Sequence, residues 1–151
     1  MRVCLGGTFN CFHKGHRKLI DVALQKAGKN GLVFIGISSE SLMKNRSHIK
    51  PYDFRRDNII FYLNEKKNEL PTVIIEPIDT IEGPTLSMDF DAIIVSNETE
   101  ENARKINQKR KQKNMSQMKI ITIPIIRAED NKKISSSRII NNEIDTEGHV
   151  L

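Results

Sequence analysis

The sequence has few of the features that mark secreted, membrane-spanning or disulfide-stabilised proteins. Its two cysteines, Cys4 and Cys11, lack C-x-x-C spacing, which argues against a zinc site or a disulfide framework and fits a reducing compartment. No apolar run approaches the roughly 20 residues that span a bilayer. The N-terminal stretch becomes glycine-rich too soon to resemble a signal peptide. We therefore expect a cytoplasmic protein that does not contact a membrane.

The motifs of several common phosphate, metal and acyl-transfer sites are also missing. There is no G-x-x-x-x-G-K-S/T segment and no G-x-G-x-x-G segment, which excludes a P-loop and a dinucleotide-binding fingerprint. No histidines have the H-x-x-x-H spacing typical of a zinc site on a helix, and no serine stands in a nucleophile elbow. A phosphate site in this chain must therefore be built differently.

The charge is unbalanced, because the 151 residues carry a formal net charge of +5. With 38% apolar and 28% charged residues, the composition is typical of a soluble globular chain, and the length fits one domain, residues 1–151. Part of the positive charge lies within residues 104–119, where a nucleic-acid-binding face is one interpretation. No aromatic side chains are interleaved there for base stacking. We favour a solvated helix face, no nucleic-acid partner and a small anionic substrate.

Apolar runs typical of strands alternate with segments of helical spacing. Buried parallel strands are continuous apolar runs, as in "LVFIGIS", whereas helices place apolar residues three and four apart. Asp53 is expected to cap the second helix, which Pro71 follows. The alternation predicts an α/β fold with a doubly wound, five-stranded parallel sheet of Rossmann-like topology. The predicted strands are residues 2–5, 32–38, 72–78, 92–96 and 119–126, and the predicted helices are residues 15–27, 53–68 and 97–113, with a short final helix in "ISSSRII".

The segment "GGTFNCFHKGH", residues 6–16, follows the first predicted strand at the sheet edge where such folds bind ligands. Its first two glycines allow a sharp turn and a close approach to a ligand. The helix N-terminus near Gly15 attracts anions. His13 and His16 share one helix face and can donate hydrogen bonds to phosphate oxygens without a permanent charge. We interpret the segment as a phosphate site rather than as a helix cap with a packed histidine.

This strand, loop and helix resemble the signature of the H-x-G-H nucleotidyltransferase superfamily, and "ISSSR", residues 134–138, resembles its second motif. Residues 77–110, 126–139 and 142–151 further resemble phosphopantetheine adenylyltransferases of the archaeal and eukaryotic kind. The resemblance covers essentially the whole chain, so residues 1–151 would form a single nucleotidyltransferase domain. It implies transfer of the adenylyl group of ATP to 4′-phosphopantetheine, which gives dephospho-CoA, the precursor of coenzyme A, and pyrophosphate.

The resemblance implies in-line attack on the α-phosphorus of ATP without a covalent enzyme intermediate. Catalysis would then rest on positioning and on electrostatic stabilisation of the transition state. Mg²⁺ is expected with ATP, bound mostly by phosphate oxygens and water.

The resemblance also assigns catalytic roles. His16 would stabilise the transferred phosphate in the transition state, and His13 would hold the ATP phosphates beside it. Thr8 would bridge the phosphates of the two substrates, and Lys44 would be the phosphate-binding lysine after the second strand. The catalytic set is therefore His13, His16, Thr8 and Lys44, and Thr8 and Lys44 would also bind the phosphopantetheine phosphate.

The remaining assignments concern nucleotide binding and the cation of the second loop. Arg46 and Lys50 are close enough to Lys44 in sequence to take its role instead. Arg138 would pair with phosphate, with a surface salt bridge as the alternative. The nucleotide-binding set is Gly7, Thr8, Phe9, His13, Gly15, His16, Ser96, Glu98, Thr99, Ile134, Ser135, Ser136, Ser137 and Arg138.

Two residues depart from the superfamily pattern, since Asn10 and Cys11 stand where it usually has Asp and Pro. Asn10 keeps a side-chain acceptor for the turn but loses a charge, and Cys11 loses the fixed backbone angle of proline. The alternatives within the superfamily are a nicotinamide mononucleotide adenylyltransferase and a cytidylyltransferase for a phosphorylated alcohol, and the resemblance of residues 77–110 speaks against both. A nucleic-acid-binding module would leave both motifs unexplained.

Overall fold

A computed structural model describes residues 1–151, the whole of this chain. Strands and helices alternate along it, and a single 3₁₀ turn, Gly83–Leu86, precedes the fourth strand. No helix combines the length and apolar character needed to cross a membrane. The elements in chain order are β1 (Arg2–Gly7), α1 (Lys14–Ala27), β2 (Leu32–Ser38), α2 (Tyr52–Asn64), β3 (Thr72–Ile78), β4 (Ala92–Val95), α3 (Glu100–Gln112), β5 (Lys119–Thr122) and α4 (Ser136–Ile140).

The five strands form one sheet in the order β3-β2-β1-β4-β5. Every pairing is parallel, with Val3 opposite Val33 on one side and opposite Ala92 on the other. The chain winds outward from β1 to β3, then returns past β1 to β4 and β5, so the topological switch point lies between β1 and β4. This arrangement confirms the predicted doubly wound, five-stranded parallel sheet.

Helices cover both faces of the sheet, so the inner strands β2, β1 and β4 are largely buried, whereas the edge strands β3 and β5 are partly exposed. Side chains along a strand point alternately to its two faces. Val3 and Leu5 accordingly pack in one core cluster with Ile20 of α1 and Ile59 of α2. Cys4 points the other way, into a second cluster that contains residues of α3. The two clusters pack on opposite faces of the sheet and hold it in place, and the carboxyl ends of its strands lie together at one edge.

Three predicted element boundaries are wrong. Helix α2 ends at Asn64 rather than near Asn68, its N-cap is Pro51, and Asp53 makes an ion pair with Arg56 instead of capping. Helix α3 starts at Glu100 rather than Asn97, because Thr99 bonds back to Ser96 in a turn. Strand β5 ends at Thr122, two residues before Pro124, which has no N–H to donate to a ladder.

The basic stretch of residues 104–119 is partly neutralised within the fold. Arg110 is buried, and its guanidinium donates to three backbone carbonyls. Lys109 pairs with Glu82 at 2.5 Å, and Arg104 pairs with Glu100 at 2.9 Å. This face therefore offers fewer free cations than the sequence suggests.

Candidate active site

A cleft with three lobes opens at the carboxyl edge of the sheet, over the switch point between β1 and β4. The central lobe has a volume of about 540 Å³, the polar lobe about 440 Å³ and the apolar lobe about 380 Å³. Each lies within the roughly 300–1,000 Å³ typical of small-molecule sites. Thr8 and Arg46 line all three lobes, so the lobes meet beside these two residues.

The lobes differ in their walls. The apolar lobe lies between β2, β4 and α3, and nine of its sixteen lining residues are hydrophobic. The polar lobe lies between the loop of residues 45–49 and α4, and only two of its twelve lining residues are hydrophobic. The central lobe brings together both predicted motifs and the turn after β4, namely Gly7, Thr8, Phe9, His13, Gly15, His16, Ser96, Glu98, Thr99, Ile134, Ser135, Ser136 and Ser137.

The two histidines of the first motif cap helix α1 and stack on each other. Nδ1 of His13 accepts from the backbone N–H groups of Gly15 and His16, and Nδ1 of His16 accepts from the backbone N–H of His13. This is a capping box made by two imidazoles, and the ring centroids are 3.7 Å apart. Because each Nδ1 is an acceptor, each neutral ring carries its proton on Nε2.

Both Nε2 atoms are open to the cleft. Neither forms a hydrogen bond within the chain, and the only buried side-chain nitrogen or oxygen without a partner is Nη2 of Arg55. Burial, followed by the charges of Arg17 and Lys133, lowers the pKa of His13 to about 4. Burial, followed by His13 and Arg17, lowers the pKa of His16 to about 2. At neutral pH the site therefore presents two uncharged N–H donors.

Gly15 is required by the packing of His13. A Cβ at this position would lie 2.9 Å from Cε1 and 3.1 Å from Nδ1 of the His13 ring, so any side chain would displace the imidazole. The glycine between the two histidines therefore makes room for a ring that caps the helix.

Phe9 sets the shape of the first motif. Its backbone has φ 53°, in the left-handed region that bulky residues rarely adopt. Its ring is buried, and the centroids of the Phe9 and His16 rings are 5.2 Å apart. The reversal directs Thr8 and Asn10 toward the cleft while Phe9 anchors the loop in the core. Strain of this kind concentrates at functional sites.

The second motif divides its roles among different residues. Oγ of Ser135 accepts from the N–H of Arg138 and caps α4. Ser136 and Ser137 line both the polar and the central lobe. Arg138 lines none of the three lobes, because its guanidinium is held by Asp130, Glu143 and the carbonyl of Lys133. The geometry favours the salt bridge over the predicted phosphate contact.

The loop after β2 offers a different cation from the predicted one. Arg46 reaches all three lobes, and its guanidinium is engaged by no hydrogen bond or ion pair within the chain. Lys44 is exposed and lines none of the lobes, and Lys50 lies over the ring of Phe54. The structure therefore does not bring Lys44 to the junction.

Sequence reasoning missed two buried side chains that hold this loop against the first motif. Arg55 is 0% exposed and donates to the carbonyls of Thr8, Ser38 and Lys50. Asn10 is also buried and bonds to the backbone of His48 and Lys50. Only the departure at Asn10 was a signal in the sequence. For Arg55 there was none, because nothing in the sequence of α2 distinguishes this buried arginine from the partly exposed Arg56 beside it.

At the outer rim of the central lobe, Lys133 forms an ion pair with Glu98. Glu98 follows β4 and Lys133 precedes the second motif, so the pair links the two walls. On the other side, the C-terminal residues pack over the start of α1, where the N–H of Lys14 donates to Thr146 and Arg17 pairs with Glu147 at 2.5 Å. These contacts with the C-terminal residues hold the start of α1, and with it the first motif, in place.

Comparison with known proteins places this geometry among nucleotidyltransferases. The model of the cytidylyltransferase-like family matches residues 4–142. The chain is 39% identical to a phosphopantetheine adenylyltransferase of Archaeoglobus fulgidus over the full length of both proteins. It is 37% identical to a phosphopantetheine adenylyltransferase of Methanosarcina acetivorans, with 97% of this chain and 94% of that one covered.

A solved structure shares the fold. The crystal structure of a protein of unknown function from Archaeoglobus fulgidus superposes with a TM-score of 0.73 and 34% identity, over 89% of this chain and all of that one. Together the comparisons confirm the resemblance predicted from the two motifs.

Proposed function

The chain belongs to the cytidylyltransferase-like family, and from that premise we propose that it transfers the adenylyl group of ATP to 4′-phosphopantetheine, giving dephospho-CoA and pyrophosphate. The observation that carries this proposal is the junction at Thr8, where three lobes of different polarity meet beside two neutral imidazoles. In the transition state of adenylyl transfer, a nucleoside, a second substrate and a polyphosphate leaving group all meet at one phosphorus atom. The names of full-length relatives support the choice of second substrate.

The central lobe is the proposed site of the adenosine. It is the largest of the three, and the polar turn of Ser96, Glu98 and Thr99 lies at its rim. This turn is held by the hydroxyl of Thr99, which accepts from the N–H of Ser96 at 3.1 Å. Such a rigid turn presents backbone and side-chain groups that can hydrogen-bond a base and a ribose.

The apolar lobe is the proposed site of the pantetheine arm. Its hydrophobic walls come from Leu42, Ile78, Val95 and other residues of the sheet and its loops. Asn102 adds one amide among them, which suits a chain that is aliphatic but contains amide groups. A nicotinamide nucleotide would place a charged ring in this lobe, so the lobe favours phosphopantetheine over that alternative.

The reaction proposed at the junction is one displacement at the α-phosphorus. An oxygen of the phosphopantetheine phosphate forms a bond to this atom as the bond to the bridging oxygen breaks, and the electron pair leaves with pyrophosphate. No proton has to move. Nε2–H of His16 and of His13 would donate hydrogen bonds to the phosphoryl oxygens, and Thr8 would contact both phosphates. These donors are held in place before reaction, which is the basis of electrostatic catalysis.

We assign the cationic role to Arg46 rather than to Lys44 or Arg138. Arg46 is the one of these three that lines the lobes, and its guanidinium can bind phosphate oxygens in a bidentate manner. Replacement of Arg46 by Ala should therefore reduce turnover strongly, while Lys44→Ala retains most of it. Equal losses in the two variants would contradict the assignment.

Mg²⁺ is proposed to arrive with ATP. The chain has no group of three or more His, Cys, Asp or Glu side chains that could hold a metal ion, so phosphate oxygens and water would be its ligands. Both cysteines are free thiols, which fits the proposed cytoplasmic location. We further propose that residues 1–151 act as a single nucleotidyltransferase domain.

The proposal is tested by measuring pyrophosphate release and dephospho-CoA formation from ATP and 4′-phosphopantetheine. Parallel reactions with CTP in place of ATP, and with nicotinamide mononucleotide in place of 4′-phosphopantetheine, separate the two alternatives within the superfamily. We expect product only with ATP and 4′-phosphopantetheine. The absence of dephospho-CoA with the wild-type protein would overturn the proposal.

A further inference from the structure

The C-terminal loop, residues 142–151, contributes no residue to the walls of the three lobes. It nevertheless has a defined structure, because Ile144 is 0% exposed and forms an antiparallel bridge with Val150. A segment placed in this way beside the cleft can affect the reaction only through the residues that it holds.

We propose that the C-terminal loop is a positioning element for adenylyl transfer, and that Asp145 is its positioning residue. The carboxylate of Asp145 shapes the loop, and the loop in turn holds the start of α1, where His13 and His16 present Nε2–H to the transferred phosphate. The proposal deepens the proposed function and rests on it for the reaction that the two imidazoles serve.

Asp145 closes the loop with side-chain and backbone hydrogen bonds. Its Oδ1 accepts from the N–H groups of Glu147 at 2.9 Å and His149 at 2.8 Å, and its Oδ2 lies 2.9 Å from Nδ1 of His149. Its N–H donates to the carbonyl of His149, and its own carbonyl accepts from the N–H of Gly148. Gly148 has φ 85°, which residues with a side chain rarely adopt. These bonds fix the direction of the Thr146 carbonyl between them.

The loop is anchored to the segment that leads into the second motif. Ile144 packs with Ala128 and Ile134 in a small core cluster. A Cβ at Gly148 would lie 2.8 Å from Cδ1 of Ile134, so the loop backbone lies directly on this cluster. The N–H of Glu129 also donates to the carbonyl of Gly148 at 2.9 Å. The C-terminal loop is therefore a fixed support.

The loop contacts α1 at the residues that directly follow the two histidines. The carbonyl of Thr146 accepts from the N–H of Lys14 at 3.0 Å. The carboxylate of Glu147 pairs with Arg17 at 2.5 Å. Both imidazoles of the first motif therefore belong to a helical turn that the loop holds at two points.

The bond to Lys14 also decides which donors a phosphate can meet. The N–H groups of Gly15 and His16 donate to Nδ1 of His13, and that of Lys14 donates to the loop. Because the first three N–H groups of α1 have acceptors within the chain, an anion at this helix start meets imidazole Nε2–H instead of the backbone. The placement of the rings is then critical, since a displacement of about 1 Å can lower a rate about 100-fold.

Asp21 provides a matched control on the same helix. Its carboxylate accepts from the hydroxyl of Tyr62 and from Nζ of Lys66, each at 2.6 Å, and so holds the middle of α1. The side chains of Asp21 and Asp145 are 42% and 41% exposed. Asp21→Ala therefore weakens the support of α1 without touching the turn that carries the histidines.

The test measures amide hydrogen exchange and steady-state kinetics in the wild type, Asp145→Ala, Asp145→Asn and Asp21→Ala, below the melting temperature of each. In Asp145→Ala the amide of Lys14 should exchange about tenfold faster, and kcat should fall about tenfold with the KM for ATP within about twofold of wild type. Asp145→Asn keeps an Oδ1 acceptor for both N–H groups, so its kcat should stay within about twofold of wild type. Asp21→Ala should melt at a lower temperature with an unchanged kcat and an unchanged Lys14 exchange rate.

A double variant shows whether the loop acts through the imidazoles. Adding Asp145→Ala to His16→Asn should lower kcat by no more than about threefold further, because only His13 is left for the loop to position. A loop that merely stabilises the fold would instead multiply the two losses in full.

Three results would overturn the proposal: equal losses of kcat in Asp145→Ala and Asp21→Ala, an Asp145→Asn variant as impaired as Asp145→Ala, or fully multiplied losses in the double variant. Should Asp145→Ala fail to fold, Glu147→Gln takes its place, since it removes only the ion pair with Arg17 and should lower kcat about threefold. The exchange measurement needs no substrate. A wild-type protein that forms no dephospho-CoA would thus overturn the proposed function, whereas unchanged Lys14 exchange in Asp145→Ala would overturn the hold of the loop on α1.

Discussion

The two motifs of the cleft, residues 6–16 and residues 134–138, differ in how their side chains share two tasks. Each opens a helix and must both cap it and present donors to the cleft. In the first motif one imidazole does both, because Nδ1 caps the backbone and Nε2–H faces the cleft. In the second motif Ser135 caps, Ser136 and Ser137 line the cleft, and Arg138 holds the helix from behind. Capping and cleft-facing groups therefore share one side chain in the first motif and lie on different side chains in the second.

The largest effect is expected from His16, where the two roles can be divided by choice of substituent. Asn keeps an acceptor near the position of Nδ1 and loses Nε2–H, whereas Ala loses both. Turnover should fall by about 100-fold or more in both variants, because a donor to the transferred phosphate is removed. The melting temperature should fall in His16→Ala and stay near wild type in His16→Asn. A His16→Asn variant with wild-type turnover would show that Nε2–H has no catalytic role.

Gly15→Ala should break the first motif without removing any donor. Alanine stabilises a helix by up to about 1 kcal/mol relative to glycine, yet here its Cβ would lie 2.9 Å from the ring of His13. We expect turnover to fall about tenfold with no rise in melting temperature. A more stable and fully active variant would mean that the ring of His13 is free to move.

The serines of the second motif should separate binding from stability. Replacement of both Ser136 and Ser137 by Ala should raise the KM for ATP several-fold and leave the melting temperature unchanged, because neither hydroxyl is needed as a cap. Ser135→Ala should do the reverse, since loss of an N-cap typically costs about 0.5–2 kcal/mol of stability. Steady-state kinetics and thermal melting on the same preparations check both. Identical changes in the KM for ATP and in the melting temperature of the two variants would contradict this division of roles among the serines.

The smallest effect on catalysis is expected from Arg138. Arg138→Lys keeps the charge but not the fork that contacts Asp130 and Glu143. The melting temperature should decrease slightly, while kcat and the KM for ATP stay near wild type. A raised KM for ATP would instead support the contact between Arg138 and phosphate that the sequence predicts.

The fold could be predicted from the sequence because its signals are local. Residues 32–37, for example, are apolar throughout, which indicates a strand buried on both faces. Boundaries were less reliable, since they depend on single hydrogen bonds: Asp53 was predicted as a cap but pairs with Arg56. A turn bonded by Thr99 delays the start of α3. The spacing of hydrophobic residues along the sequence indicates neither of these interactions.

The site was predicted where residues are adjacent in sequence and missed where they meet through the fold. Both motifs were identified, but capping and phosphate binding were treated as alternatives for the histidines, and the geometry allows both at once. The choice of Arg46 over Lys44 depends on how their loop turns. The partners of Arg138 and the contacts of Asn10 lie elsewhere in the chain, so no local pattern could reveal them.

The depressed pKa values of His13 and His16 have a defined consequence for stability. In the unfolded chain both imidazoles take up protons below about pH 6.5, whereas in the folded protein they stay neutral to about pH 4 and about pH 2. Their contribution to stability is therefore complete above pH 6.5. It is lost progressively as the pH falls below that value, because the unfolded state then binds more protons.

The proposed catalysis requires two neutral imidazoles, each protonated on Nε2, that face the transferred phosphate. Nitrogen-15 NMR of the histidine side chains, followed from pH 8 to pH 5, reports the protonation of each ring nitrogen. We expect both rings to show an unprotonated Nδ1 and a protonated Nε2 across this range, without titrating. A ring that titrates near pH 6.5, or that carries its proton on Nδ1, would contradict this expectation.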